Sequence, residues 1–142
     1  MSNAVRTDTA PAPVGAYPHA RRVGNLLFLS GVGPREPGTN RIPGNVHDEQ
    51  GNLVGYDIEQ QCRQVFANVR AVLEASGAHW EDLVDVTVFL TDMARDFPVY
   101  NRLYAEYFQG VDACRTTLGI TALPTPIAIE LKCVAALPAS HS

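Results

Sequence analysis

The 142-residue chain has no long hydrophobic run. Its apolar stretches are a handful of residues each, against the roughly 20 that span a bilayer. No basic, apolar and small-residue leader opens it. A cytoplasmic protein with no membrane partner is expected. Runs of basic residues are missing too. With 11 Lys and Arg against 15 Asp and Glu, the net charge is -4. The one basic doublet, Arg21-Arg22, makes no stripe for phosphates, which argues against nucleic acid as a partner. Cysteine is scarce: Cys62, Cys114 and Cys133 form no C-x-x-C pair, so the odd count reads as free thiols rather than a disulfide framework. His19, His47, His79 and His141 show neither H-x-H nor H-E-x-x-H spacing, so no metal site is indicated. There is no phosphate loop, no G-x-G-x-x-G and no internal repeat. No metal or organic cofactor is expected.

What is present suits one domain with a real core, since 46% of residues are hydrophobic and 18% charged. Residues 1–13 are small and polar and read as a disordered or extended tail, with the domain over 14–138. Tyr17 to Val23 predicts a strand, Gly24-Asn25 a turn, and Leu26 to Ser30 a second strand, together a hairpin. From Arg35 to Gly55 the chain is rich in Gly, Pro, Asn and Asp. It predicts a long loop with one short strand near Leu53-Val54, of the length that compact domains keep for lids or interfaces. Asp57 caps a helix in which Ile58, Cys62, Val65, Val69, Val72 and Leu73 recur at helical spacing, with Gln60 completing a capping-box pattern and Gly77 at the C-terminus. Leu83 to Thr91 predicts a strand. Asp96-Phe97-Pro98 predicts the start of a second helix that Gly110 ends. Arg115 to Ile120 and Pro126 to Ala136 predict two more strands. The order β-β-(loop)-α-β-α-β-β defines an α+β fold, a mixed sheet with two helices on one face. The other face keeps apolar positions and only two helices exist to cover anything, which predicts self-association.

Arg115 and Glu130 stand out because charges inside apolar strands are costly unless paired or used. Arg115 reads either as a bidentate clamp for a carboxylate or as one half of a structural ion pair. Glu130 is a solvated sheet residue unless its face meets another subunit, where desolvation raises a carboxyl toward a useful acid or base. Ser30-Gly31 ends an apolar strand, where glycine either lets a ligand approach the backbone or simply turns the chain. Asn101, a poor helix former in a helix, anchors a loop or a ligand. Tyr17 lines a pocket or packs. Cys114 neighbours Arg115, but no nearby histidine activates it.

Taken in order, these segments resemble the RidA/YjgF reactive-intermediate deaminase family. The resemblance rests on Gly15-Ala16-Tyr17-Pro18-His19-Ala20, Leu29-Ser30-Gly31-Val32-Gly33-Pro34, Gln64-Val65-Phe66-Ala67-Asn68-Val69, Val86 to Asp92, Tyr100 to Phe108, Arg115-Thr116-Thr117, Leu123-Pro124 and Ile129-Glu130. It spans nearly the whole chain from Gly15. It implies a fold like trimeric chorismate mutase, a homotrimer whose sheets form a barrel with sites between subunits, or two such trimers paired as a hexamer. It implies that Arg115 grips a substrate carboxylate and that Glu130 positions water, with Thr117, Gly31, Ser30, Tyr17 and Asn101 completing the pocket. The long 35–55 segment, carrying Arg41, His47 and Asp48, is similar to that of the 2-aminomuconate deaminase branch. This implies hydrolysis of an enamine dicarboxylate, 2-aminomuconate, to the 2-oxo acid 4-oxalocrotonate and ammonia. A broad 2-imino or enamine acid deaminase, and a non-catalytic small-acid-binding or chaperone-like regulator, are the alternatives. A dicarboxylate asks for a second cation, with Arg41, Arg21 and Arg22 as candidates.

Overall fold

The computed structural model describes residues 3–138, which form a six-stranded mixed sheet with two α-helices on one face and a small two-stranded ribbon. In chain order the elements are β1 (Ala4–Val5), β2 (Ala20–Val23), β3 (Leu26–Leu29), β4 (Val46–His47), β5 (Leu53–Gly55), α1 (Ile58–Ala75), β6 (Leu83–Leu90), α2 (Met93–Phe108), β7 (Cys114–Gly119) and β8 (Ile129–Ala136). The sheet order is β1-β2-β3-β8-β6-β7, and β6 and β7 are its parallel pair. The expected α+β architecture is therefore observed.

Several boundaries differ from the expected ones. The tail is attached: Ala4 and Val5 pair with Arg21 and Ala20, and Ala10 is buried. Tyr17 to His19 is not strand, since His19 turns inward and is held by the tail. Its Nδ1 accepts from the Thr7 N–H at 3.3 Å and its Nε2 lies 2.8 Å from the Pro11 carbonyl. The second helix begins one turn earlier than expected, at Met93, because the Asp92 carboxylate caps the Arg95 N–H at 3.1 Å. Pro98 thus sits inside the helix and removes one backbone hydrogen bond. Asp96 is no cap but a fully buried acid, hydrogen-bonded by the Tyr56 hydroxyl at 2.6 Å. Burial pushes its carboxyl above the usual range. The last strand starts at Ile129, because the Ala128 N–H turns to the Gln61 side chain at 2.9 Å.

Helix α1 forms as its pattern dictates. Asp57 accepts from the N–H groups of Glu59 and Gln60. The Gln60 side chain bonds the Asp57 carboxylate rather than its backbone, whose N–H goes to the Gly44 carbonyl. At the other end the Ala78 and Gly77 N–H groups return to Leu73 and Glu74, with Gly77 at φ 78°, a left-handed C-terminal cap. The apolar stripe of α1 packs with Tyr100, Leu103 and Phe108 of α2 onto Val86, Val88, Leu90, Ile129, Leu131, Cys133 and Ala135. Cys62 and Cys133 are buried core thiols, each pushed up to about 12 by burial.

Two amides break the apolar stripe. Gln61 and Asn68 are fully buried. Gln61 Nε2 donates to Asn45 at 2.8 Å, while its oxygen takes the Ala128 N–H. Asn68 Nδ2 donates to the carbonyls of Gly33 and Arg35, both at 2.8 Å, and its oxygen accepts from Gln64. These amides fasten the 31–35 segment, the ribbon loop and the start of β8 to one rigid helix. The opposite sheet face carries Val23, Leu26, Phe28 and Leu118, all exposed, as the self-association argument requires.

Asn68→Ala strands two buried carbonyls and the Gln64 amide. It is expected to cost about 2–4 kcal/mol in urea unfolding, well above a surface substitution.

Candidate functional site

The strand registers separate the two prominent charges. Arg115 pairs across β6 with Val86, whose side chain is buried against the helices. Glu130 pairs with Phe89, one pleat out of phase, and faces the open side. Since side chains alternate along a strand, Arg115 lies under α2 and Glu130 on the other face, with β6 between their strands. Within one chain they do not meet.

Glu130 belongs to a cleft of about 160 Å³ lined by Tyr17, Gly31, Gly33, Arg35, Pro124, Thr125 and Ile127. Val32 bridges to Leu131 through reciprocal backbone hydrogen bonds of 2.8 and 2.9 Å, which lays Gly31 against the Glu130 side chain. A Cβ at Gly31 would stand 2.7 Å from Glu130 Oε2, so any larger residue there would push the carboxylate from its present place. Glu130 is half-buried, and desolvation raises its carboxyl above the usual glutamate range. Tyr17 is exposed at the rim, its hydroxyl accepting from the Val14 N–H at 3.3 Å. Ser30 lines the adjoining cavity, but its hydroxyl donates to the Pro18 carbonyl at 2.7 Å and holds the Tyr17 segment in place.

The second cluster lies between β7 and α2. The Arg115 guanidinium packs on the Tyr104 ring at 4.7 Å and on Tyr100 and Phe97 at 5.7 Å. Its Nη1 donates to Asn101 Oδ1 at 2.8 Å, so the helical asparagine orients the arginine rather than a loop. No carboxylate among the described residues pairs with Arg115, which removes the structural ion-pair reading. Thr117 shares its face of β7, and Thr117 Oγ1, Tyr100 Oη and Tyr104 Oη are buried without hydrogen-bond partners. A fork of unused N–H donors beside unsatisfied hydroxyls suits a small carboxylate with further polar groups.

The structure thus divides the expected residues into two half-sites, Tyr17, Ser30, Gly31 and Glu130 in one and Asn101, Arg115 and Thr117 in the other. The candidate second cations are elsewhere. Arg41 pairs with Glu36 at 3.3 Å and lines a different cavity with His47. Arg22 closes its hairpin on the Gly24 carbonyl, and Arg21 is exposed on β2. The cation that does line the Glu130 cleft is Arg35. The reading also missed Gln61 and Asn68; the available signal was two amides on the inward face of an otherwise apolar helical stripe. Among the described residues no group of three or more His, Cys, Asp or Glu is gathered as a cation site requires, and no helix is long and apolar enough to cross a membrane.

A small α+β domain with an arginine that no acid pairs with among the described residues, and a desolvated glutamate on the opposite sheet face, defines the class. Residues 7–137 match the family described as Endoribonuclease L-PSP. Reactive Intermediate Deaminase A, chloroplastic, of Arabidopsis thaliana is 39% identical over 133 residues, 94% of this chain and 65% of the relative. A 2-iminobutanoate/2-iminopropanoate deaminase of Dermatophagoides farinae is 35% identical over 130 residues, 92% of each chain. The crystal structure of the YjgF gene product of E. coli superposes with a TM-score of 0.80 at 31% identity, covering 95% of this chain and 98% of that one. The chain belongs to this family, the RidA/YjgF proteins.

Two outcomes are expected at Glu130. Gly31→Ala drives a methyl into the carboxylate and lowers kcat/KM by at least about tenfold while the fold survives, checked by kinetics beside circular dichroism. For stability, an unfolded glutamate ionises near 4.5 and the folded one at higher pH. Its contribution is present below the lower value and is lost as pH rises through the folded one. Glu130→Gln removes that loss, so its melting temperature should exceed that of wild type at pH 7 and match it at pH 3.5.

Proposed function

We propose that the protein hydrolyses a 2-enamine or 2-imine of a carboxylic acid to the 2-oxo acid and ammonia, with 2-aminomuconate as the substrate and 4-oxalocrotonate as the oxo product. One observation carries the reading: a desolvated Glu130 against Gly31, and an Arg115 whose guanidinium has no anion, occur in one chain on opposite faces of one sheet. A second copy that lays its edge strand β7, which carries Arg115, along the Glu130 cleft brings the two charges together. A trimer closes such a head-to-tail contact with three equivalent sites. The names of the Arabidopsis and mite relatives, a reactive-intermediate deaminase and a 2-imino acid deaminase, support the imine chemistry. The dicarboxylate rests on the resemblance of the 35–55 segment, which docks beside the cleft through Asn45 Nδ2 on the Pro126 carbonyl at 3.0 Å.

The residues divide the work as follows. Arg115, oriented by Asn101 and stacked on Tyr104, binds the C1 carboxylate. The enamine gains a proton at carbon and becomes the iminium. Glu130 takes a proton from water as its oxygen adds to C2, then returns the proton to the nitrogen of the carbinolamine. The C–N bond breaks, ammonia leaves, and the C2 carbonyl forms as the hydroxyl proton passes to Glu130. Holding carboxylate and water in one cleft makes the addition internal, an advantage bounded by about 7–11 kcal/mol. The raised carboxyl of Glu130 suits a group that both accepts and donates a proton.

Arg115→Ala is expected to lower kcat/KM for 2-aminomuconate by roughly 10²–10⁴-fold, and Glu130→Gln to lower kcat by a similar factor with KM little changed, both read by ammonia release. Unfolding and refolding the two inactive variants together should restore about a quarter of wild-type activity, because one site in four then pairs an intact Arg115 with an intact Glu130. No recovery would exclude a site shared between copies. Equal turnover of 2-aminoacrylate and 2-aminomuconate would assign the protein to broad imino-acid deamination instead.

A further inference from the structure

The cleft that holds Glu130 is also lined by Arg35, whose place the catalytic scheme leaves unused. Arg35 is half-buried and fixed at both ends. Its backbone carbonyl accepts from the buried Asn68, and its guanidinium donates from Nη1 to Asn40 Oδ1 at 2.9 Å and from Nη2 to the Ala12 carbonyl at 2.7 Å. Both acceptors are neutral. A guanidinium carries five N–H donors, so three remain after these two bonds. No carboxylate among the described residues pairs with Arg35, whereas Arg41, Arg63, Arg95 and Arg102 each have an acidic partner. The cleft's one acid, Glu130, is not bonded to it. A held but unneutralised guanidinium in a cleft is arranged to receive an anion.

We infer that Arg35 binds the second, distal carboxylate of a dicarboxylic substrate and is the residue that separates dicarboxylates from monocarboxylic imino acids. The inference rests on the proposed reading that Arg115 of one copy and Glu130 of another flank the reacting carbon. Arg115 then takes the carboxylate next to that carbon, and Arg35, on the chain that supplies Glu130, takes the far end. A substrate ending in a methyl group would leave Arg35 desolvated and unpaired, which turns an absent carboxylate into a penalty. Arg35 opens the long 35–55 segment. The turn that segment makes at Asn40, where φ is 59°, supplies one of the two acceptors that orient the fork.

The test is calorimetric titration of the assembled protein with trans,trans-muconate and with sorbate, which share a six-carbon diene chain and differ by one carboxylate. Wild type is expected to bind muconate about 10–100-fold more tightly, the ordinary worth of one charge-assisted contact. In Arg35→Gln that ratio should fall to near one. In Arg35→Lys, a point charge without the fork, it should be intermediate and more sensitive to salt. If the Gln variant does not fold, the Lys variant carries the test, and an undiminished ratio there overturns the assignment. A ratio that survives Arg35→Gln overturns it too, as does a wild type that binds both probes equally or neither. The deaminase reading fails separately. An Arg35-dependent preference for muconate without ammonia release from either enamine leaves the Arg35 assignment standing, while turnover of 2-aminomuconate that ignores Arg35→Gln removes only that assignment.

Discussion

The pleat of three adjacent strands governs how this protein uses its charges. β6 lies between β7 and β8, and its registers with both put Arg115 and Glu130 out of phase on opposite faces. A one-residue slip in either strand would bring both charges to one face. In β8 such a slip would also turn Leu131 and Cys133 out of the core, so the hydrophobic effect holds that register firmly. The separation therefore follows from core packing, and within one chain the two charges do not share a pocket.

Around that constraint α1 acts as a fixed rail. Its stripe buries aliphatic and aromatic side chains, and within the stripe Gln61 and Asn68 spend their donors and acceptors on backbone and side-chain groups of three separate loops. A buried amide stabilises only when it is satisfied, so each of these bonds sets a loop's height above the sheet. The 31–35 segment carries Gly31 to the Glu130 carboxylate and Arg35 to the mouth of the same cleft. The geometry of the site is thus linked to helix stability through two side chains that touch no ligand.

Much of the framework was legible in the chain. The 3.6-residue recurrence from Ile58 to Leu73, with Asp57 and Gly77 as caps, defines α1 because those signals are local. Alternation and β-branching define β6. Arg115 and Glu130 stood out as charges inside apolar strands, and the structure leaves Arg115 without an acidic partner among the described residues and Glu130 half-buried. Other features were not local. The tail at Ala4–Val5 is a strand only because β2 offers it an edge. Asp96-Phe97-Pro98 looked like the start of the second helix because proline suits a first turn, yet Asp92 caps the helix one turn earlier and Asp96 lies in the interior, bonded by Tyr56. Ser30 was expected to help complete a pocket, yet its hydroxyl is taken by the Pro18 carbonyl across the hairpin.

Residue chemistry by itself determined that this chain folds as one α+β domain, and that an arginine and a glutamate in apolar strands need an explanation. Only tertiary structure decided what that explanation involves. Spacing along one strand fixes faces within that strand, but faces in different strands are related through hydrogen-bond register, which depends on the packing of the whole core. The same reason hid Arg35 among the other arginines. Its lack of an acidic partner and its place beside Glu130 arise from a backbone held 33 residues away in sequence by Asn68.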